Sequence, residues 1–239
     1  MITLENRLTM LCKVDLGSLC ATPSVSPDSR KIAYPIKSKK WFSEGMKVCV
    51  NGIAQRHYES VSGLVFSPNS QHFAYVAVRK NRLVVICDGE EISNEYDDIS
   101  LSTPIFSPDS QHIAFGARLG NKWFAVKDGA EEESHYGFVS GSMTFSSDSK
   151  LGYSYYKGQL SGRLQLGGKI IVIDNGKKVA EYDVATNNNR NTLIVVNDNE
   201  LDMDINLAVG ANFMFDTCNS FYTMVISKNK FYQLNVMIK

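Results

Sequence analysis

Four histidines are the first side chains in this sequence that could act as general bases or metal ligands. They occupy two recurring contexts. His72 and His112 each follow an SPxSQ motif, whereas His57 and His135 each precede a tyrosine. Residues at one address in different repeats normally lie far apart, so this spacing predicts structural roles. A catalytic or metal-binding cluster is the less favoured alternative, and we assign no catalytic residue, metal or cofactor.

The cysteines do not indicate thiol chemistry. Their number is odd and no CxxC spacing occurs, so neither a disulfide framework nor a zinc site is predicted. Cys49 and Cys87 lie in apolar segments, which favours buried packing, and no base accompanies either in the sequence. The sequence also lacks GxSxG, HExxH, P-loop and dinucleotide-binding motifs. The five cysteines are Cys12, Cys20, Cys49, Cys87 and Cys218.

One acidic position recurs along the chain and could suggest calcium binding or acid catalysis. It is occupied by Asp28, Asp109 and Asp148, and by Asn69 in the remaining copy. Turn chemistry explains these residues, because Asp and Asn side chains bond to nearby backbone. The Asn shows that the charge is not required. The carboxylates at 97–98 and 131–133 are expected to be solvated.

These residues belong to an internal repeat. SPDS, SPNS, SPDS and SSDS begin at Ser26, Ser67, Ser107 and Ser146, at spacings of 41, 40 and 39 residues. A second motif follows in phase, with hairpin glycines and then a tyrosine six or seven residues later. These landmarks are Gly52, Gly89, Gly129 and Gly176, with Tyr58, Tyr96, Tyr136 and Tyr182.

Each repeat predicts four short antiparallel strands and no helix. Pro-Asp and Pro-Asn suit a type I turn, and Asp-Gly and Asn-Gly suit a tight hairpin. A unit of about 40 residues with four strands is a propeller blade, because a single such sheet cannot bury both faces. We therefore predict one all-β propeller domain over 1–239, with five blades favoured and six as the alternative. Regular blades are expected at 22–60, 61–100, 101–140 and 141–184, with 185–239 and 1–21 closing the ring.

The FSPDSxxIAF…VxDGxE…Y pattern resembles the WD-repeat-like units of TolB-type β-propellers over residues 22–184. The WD dipeptide itself is absent. The resemblance implies the fold, and it implies function only weakly, because such propellers serve as scaffolds, binding proteins and gates attached to enzymes.

Composition is that of an ordinary soluble protein, with 44% hydrophobic residues and 25 acids against 25 bases. No apolar run approaches the roughly 20 residues that span a bilayer, and residues 1–20 lack the pattern of a secretory signal. We expect a cytoplasmic protein without membrane contact, with the mature form of an exported protein as the alternative.

The connections between second and third strands are basic and accompanied by aromatic residues, whereas the turns between third and fourth strands are acidic. In a propeller these two sets emerge on opposite faces, so we predict a strongly dipolar molecule. The predicted partner-binding residues on the basic face are Lys37, Lys39, Lys40, Trp41, Phe42, Arg79, Lys80, Arg82, Arg118, Lys122, Lys157 and Arg163.

Three functions compete at this point. The favoured one is a non-catalytic scaffold that binds an acidic protein surface through the basic face. The second is a hydrolase or lyase with its active site in the axial channel. The third is binding of nucleic acid or another polyanion, which predicts steep salt dependence. The alternative for the basic residues is that charged hairpins merely discourage edge pairing.

Overall fold

A computed structural model describes residues 10, 12–13, 17–40, 43–100, 103–133, 135, 137–139, 141–157, 168–186, 192–196, 199–201, 206–207, 214–217, 220–227 and 230–237. Side chains are described up to Glu181 in these ranges, except at positions 40, 43, 168, 169 and 180. All regular elements described are β-strands. No helix that could cross a membrane occurs among them. The chain forms two compact units, Met1–Ser93 and Asn94–Lys239.

The first unit contains two four-stranded antiparallel sheets in which neighbouring strands are consecutive in sequence. The first sheet consists of β1 (Ser24–Val25), β2 (Ile32–Lys40), β3 (Ser43–Val50) and β4 (Ile53–Tyr58). The second consists of β5 (Ser60–Phe66), β6 (Phe73–Arg79), β7 (Arg82–Cys87) and β8 (Glu90–Glu91).

The second unit contains three further antiparallel sheets. The third sheet has β9 (Asp98–Ile99) and β10 (Ile105–Phe106) both paired to β11 (Ile113–Leu119), followed by β12 (Lys122–Lys127) and β13 (Ala130–Glu131). The fourth runs from β14 (Thr144–Phe145) through β15 (Leu151–Lys157), β16 (Gly168–Asp174), β17 (Lys177–Thr186) and β18 (Thr192–Val196) to β19 (Asn199–Leu201). In the last, β22 (Ser220–Ser227) pairs with β20 (Asn206–Leu207), β21 (Met214–Thr217) and β23 (Lys230–Met237).

The predicted fold class, an all-β chain of four-stranded antiparallel sheets, is confirmed by this topology. The fourth sheet continues through β18 and β19, beyond the predicted blade boundary at 184. The number of blades, the single domain and the closure of the ring stay predictions. Most of residues 1–21, the N-terminal part of the predicted closing region, lies outside the described residues.

The recurring Ser-x-Asp motif builds its turn by local hydrogen bonds. In the third sheet the Ser107 hydroxyl donates to Asp109 and accepts from the N–H of His112 at 2.9 Å. Asp109 also accepts from the N–H of Gln111 at 3.0 Å. The Ser107 and Gln111 hydrogen bonds lower the pKa of Asp109 to about 2. Equivalent bonds occur at Ser26 and Asp28, Ser67 and Asn69, and Ser146 and Asp148.

Replacing Ser107 by alanine is expected to lower the free energy of unfolding by about 1–3 kcal/mol, because the N–H of His112 loses its buried acceptor. Ser107 is fully buried. Urea denaturation measures the change. The matched control is Gln111→Ala, whose exposed side chain reaches only the carbonyl of Asp109, at 3.5 Å. That control should change stability by less than about 0.5 kcal/mol. Equal effects of the two substitutions would contradict the role assigned to Ser107.

The turns between third and fourth strands also hold the start of the second strand. Asp88 and Gly89 both have positive φ, 50° and 87°, as an Asp-Gly hairpin requires. Asp88 accepts from the N–H of Phe73 at 2.9 Å, and its other oxygen lies 2.7 Å from Nδ1 of His72. The same contacts recur in the third sheet with Asp128, Ile113 and His112. Each of these two histidines therefore contacts the aspartate of its own sheet.

Buried apolar and aromatic side chains pack in each unit. In the first unit, Tyr75 is 1% exposed and its ring centroid lies 5.7 Å from that of Phe73 and 6.2 Å from that of Tyr58. In the second unit, Leu151 and Ile171 are buried in one cluster with Ala114 and Tyr153. Burial of such side chains supplies the main stabilising free energy of the sheets.

Two carboxylates of the 131–133 run accept hydrogen bonds from tyrosines, a role that the sequence did not indicate. Glu131 and Glu133 are exposed, as expected, and Glu132 is half-buried. The hydroxyl of Tyr96, which is fully buried, donates to Glu131 at 2.8 Å. The hydroxyl of Tyr153 donates to Glu132 at 2.7 Å. A buried hydroxyl needs an acceptor, and these side chains provide it. The recurring tyrosine at 96 is thus tied to a turn 35 residues later in the chain.

Candidate docking surface

The first basic connection belongs to a β-hairpin, and its lysines lie on the strands. β2 and β3 pair continuously as far as Lys40 and Ser43, so Lys37 and Lys39 lie on paired strands. Antiparallel pairing satisfies backbone N–H and C=O groups whatever the side chains are, so charged residues can extend a hairpin. The structure therefore places these cations on a regular scaffold with fixed spacing.

The side chains of Lys37 and Lys39 in this hairpin are solvated. Lys37 is exposed, and Lys39 forms a 3.4 Å ion pair with Glu44 in which the two side chains are 82% and 84% exposed. An ion pair this exposed contributes little and exchanges readily with a partner's charges. Trp41, Phe42 and Arg163, and the side chain of Lys40, lie outside the described residues.

Acidic side chains accompany the basic hairpin of the second sheet. Arg79 donates to Glu91 at 2.8 Å, and the N–H of Lys80 donates to a carboxylate oxygen of Glu59 at 2.6 Å. Arg82 opposes Arg79 at the start of β7. Glu59 and Glu91 lie outside the basic connection itself, so its sequence does not reveal that they offset part of its positive charge.

Arg118, in the β11–β12 hairpin of the second unit, also has an acidic neighbour. Arg118 donates to the carbonyl of Gly120 at 2.9 Å, lies 3.6 Å from Asp98, and places its guanidinium 5.8 Å from the Trp123 ring centroid. Trp123 is half-buried, and its backbone N–H and C=O groups form hydrogen bonds with those of His135. Its ring is therefore not freely exposed for contact with a partner. Lys122 and Lys157 occupy strand ends, the first of β12 and the last of β15.

A groove of about 460 Å³ opens beside the outer strand of the first sheet, and sequence reasoning missed it. Its described lining residues are Lys39, Lys47, Gln55, Arg56 and His57. The available signal was the polar run QRH at 55–57, which interrupts the alternation expected of a strand. An adjoining groove of about 500 Å³ differs in charge, because Glu44 and Glu59 line it beside Lys37 and Lys39.

Raised pKa values keep the thiols of Cys49 and Cys87 protonated. Burial is the main cause that raises the pKa of Cys87 to about 12, and the Asp88 carboxylate adds to it. Burial likewise raises the pKa of the Cys49 thiol. A thiol nucleophile requires the opposite shift. In the part of the chain that the structure describes, no three His, Cys, Asp or Glu side chains come together as metal ligands would.

The chain resembles known proteins in structure and not in sequence. No family model and no curated protein matches the sequence. Among solved structures, the chain is similar to the β-propeller domain of the Trilobed protease from Pyrococcus furiosus, with 11% identity, a TM-score of 0.47 and coverage of 91% of this chain and 82% of that one. The sheets are propeller blades. That assignment rests on the consecutive four-stranded topology described above.

Two other similar structures are larger proteins. TolB from Acinetobacter baumannii is 14% identical, with a TM-score of 0.44 and coverage of 92% of this chain and 54% of that one. The acylaminoacyl peptidase from Pyrococcus horikoshii is 10% identical, with a TM-score of 0.45 and coverage of 91% of this chain and 44% of that one. The chain thus spans about half the length of these two proteins.

Proposed function

We propose that this chain is a non-catalytic propeller-type interaction module that binds an acidic protein partner through its basic hairpins. The observation that supports this best is the β2–β3 hairpin, which presents Lys37 and Lys39 on paired strands. Cations on a regular backbone meet a partner's carboxylates at a fixed spacing, which favours specificity and fast association. The resemblance of the repeats to TolB-type propeller units agrees with a binding role.

The described titratable groups favour binding over catalysis. The thiols of Cys49 and Cys87 have raised pKa values because they are buried. His72 and His112 contact turn aspartates of their own blades. These side chains have structural roles, which leaves the charged surface as the feature that calls for a functional explanation.

The experiment is affinity capture from the native cell, followed by affinity measurements with the purified partner. The double variant Lys37→Glu/Lys39→Glu is expected to bind at least about tenfold more weakly than the wild type, because it replaces two attractions with two repulsions. Its binding should also depend less on salt between 50 and 300 mM, since fewer ion pairs are screened.

The matched control is Lys177→Glu/Lys178→Glu, which makes the same charge change at exposed positions of β17. It should bind the partner as the wild type does. Equal affinity of wild type and the hairpin variant would overturn the proposal. An electrophoretic shift of nucleic acid with steep salt dependence, and no acidic protein partner, would replace it with polyanion binding.

A further inference from the structure

The outer strand of the first blade contains a β-bulge at its polar run. Lys47 of β3 opposes His57, and Cys49 opposes Ala54, so two residues of β4 face the single residue between them on β3. Those two residues are Gln55 and Arg56. A bulge redirects side chains and is common next to binding sites. Here it brings three consecutive side chains of β4, positions 55–57, to the 460 Å³ groove.

The groove carries positive charge and no described carboxylate in its lining. Lys47 is half-buried and Arg56 is exposed. Among the residues that the structure describes, neither forms an ion pair. Lys39 supplies a third cation, which Glu44 neutralises only from a solvated position. Like charges placed together without counterions repel each other, so this cluster lowers its free energy when an anion binds.

Residues of the first and second sheets hold the polar groups of the groove in place. The hydroxyl of the buried Tyr75 donates to Oε1 of Gln55 at 3.0 Å, which leaves the amide nitrogen of Gln55 as a donor for the groove. Nδ1 of His57 lies 3.2 Å from the hydroxyl of Ser38. The imidazole lies over Gly45, where an added Cβ would approach Nε2 to 2.7 Å. Glycine at this position therefore makes room for the ring and for the backbone oxygen of Tyr58, which would lie closer still to such a Cβ.

We propose that this bulged groove binds a phosphoryl group. A phosphoryl group offers several terminal oxygens as hydrogen-bond acceptors. They suit the three donors of the groove, which are the forked guanidinium of Arg56, the ammonium of Lys47 and the amide of Gln55. A carboxylate, with two oxygens, would engage only some of these donors. The groove is larger than one phosphate, so the group can be free, on a small molecule, or on a phosphorylated side chain. The groove shares Lys39 with the proposed docking hairpin. Lys47 and Arg56, which the docking proposal does not use, distinguish the phosphate site from that hairpin.

The test uses the four histidines as reporters. Imidazole Cε1–H cross-peaks of the full chain are followed by NMR during titration with inorganic phosphate at constant pH, with sodium chloride at matched ionic strength as the blank. The His57 peak is expected to shift saturably, whereas those of His72, His112 and His135 should not. A second titration uses a phosphoserine peptide and its unphosphorylated counterpart.

Variants decide whether the groove is the site. Arg56→Ala and Lys47→Ala should each weaken phosphate binding about fivefold or more, since each removes a charge-assisted hydrogen bond. Lys177→Ala, which removes an exposed cation of the second unit, should leave it unchanged.

The possible outcomes are distinguishable. A saturable shift with inorganic phosphate supports a site for free or small-molecule phosphate. A shift with the phosphopeptide alone supports a phosphorylated protein as the source. The proposed site would be overturned if neither probe shifted the His57 peak saturably. It would also be overturned if the Arg56→Ala and Lys47→Ala variants bound phosphate as tightly as the wild type does. Loss of the protein partner in a Lys37→Glu variant, whose substitution lies outside the lining of the groove, with phosphate binding retained, would show that the two functions are separate.

Discussion

Replacing Tyr75 by alanine is expected to lower the free energy of unfolding by about 3–5 kcal/mol, the usual cost of removing a buried aromatic ring. The ring is 1% exposed and packs against Phe73 and Tyr58 in the first unit. The cavity left behind cannot close fully, because its walls are backbone-paired strands. Urea denaturation monitored by circular dichroism measures the loss.

The variant Tyr75→Phe separates packing from hydrogen bonding. It keeps the ring and removes only the bond to Gln55, so it should cost about 1 kcal/mol. If Tyr75→Ala cost no more than Tyr75→Phe, the ring would not be part of a packed core. Burial raises the pKa of Tyr75, so its hydroxyl remains a donor throughout the neutral range.

Acidification is expected to destabilise the protein through His135. This side chain is 7% exposed and stacks on Tyr155 with ring centroids 3.5 Å apart. Its Nε2 has no hydrogen-bond partner among the described residues. Burial lowers the pKa of His135, and the Glu133 carboxylate opposes that shift only partly. The folded protein therefore holds this imidazole neutral.

The sign of the effect follows from proton linkage. The unfolded chain binds a proton at His135 near the ordinary histidine pKa of about 6.5, whereas the folded chain binds it only at lower pH. Stability from this site is complete above about pH 6.5 and falls as the pH decreases, by about 1.4 kcal/mol per pH unit until the folded pKa is reached.

The measurement compares unfolding of wild type and His135→Phe between pH 5 and 7.5. The variant keeps an aromatic ring and cannot bind a proton, so its stability should fall less steeply with acid. Parallel slopes for wild type and His135→Phe would show that His135 does not carry the acid sensitivity.

Part of the candidate surface was predictable from the sequence. Features that depend on residues close together in the chain could be predicted, and contacts between residues far apart in the chain could not. The positions of Lys37, Arg79 and Arg118 near hairpin ends follow from the repeat. Their electrostatic partners do not, because Glu91 and Asp98 come from other strands. The bulged groove was not predicted, because its lining residues come from three strands and meet only through strand pairing and a bulge.

The sequence by itself determined the repeat, the strands and the turns. Ser107, Asp109 and His112 act within five residues of one another, so local bonding fixes their turn wherever the motif occurs. Only the tertiary structure decided which side chains meet across strands, as when the hydroxyl of Tyr96 found its acceptor in Glu131. Register and bulges set those encounters, and they depend on how whole strands pair and pack.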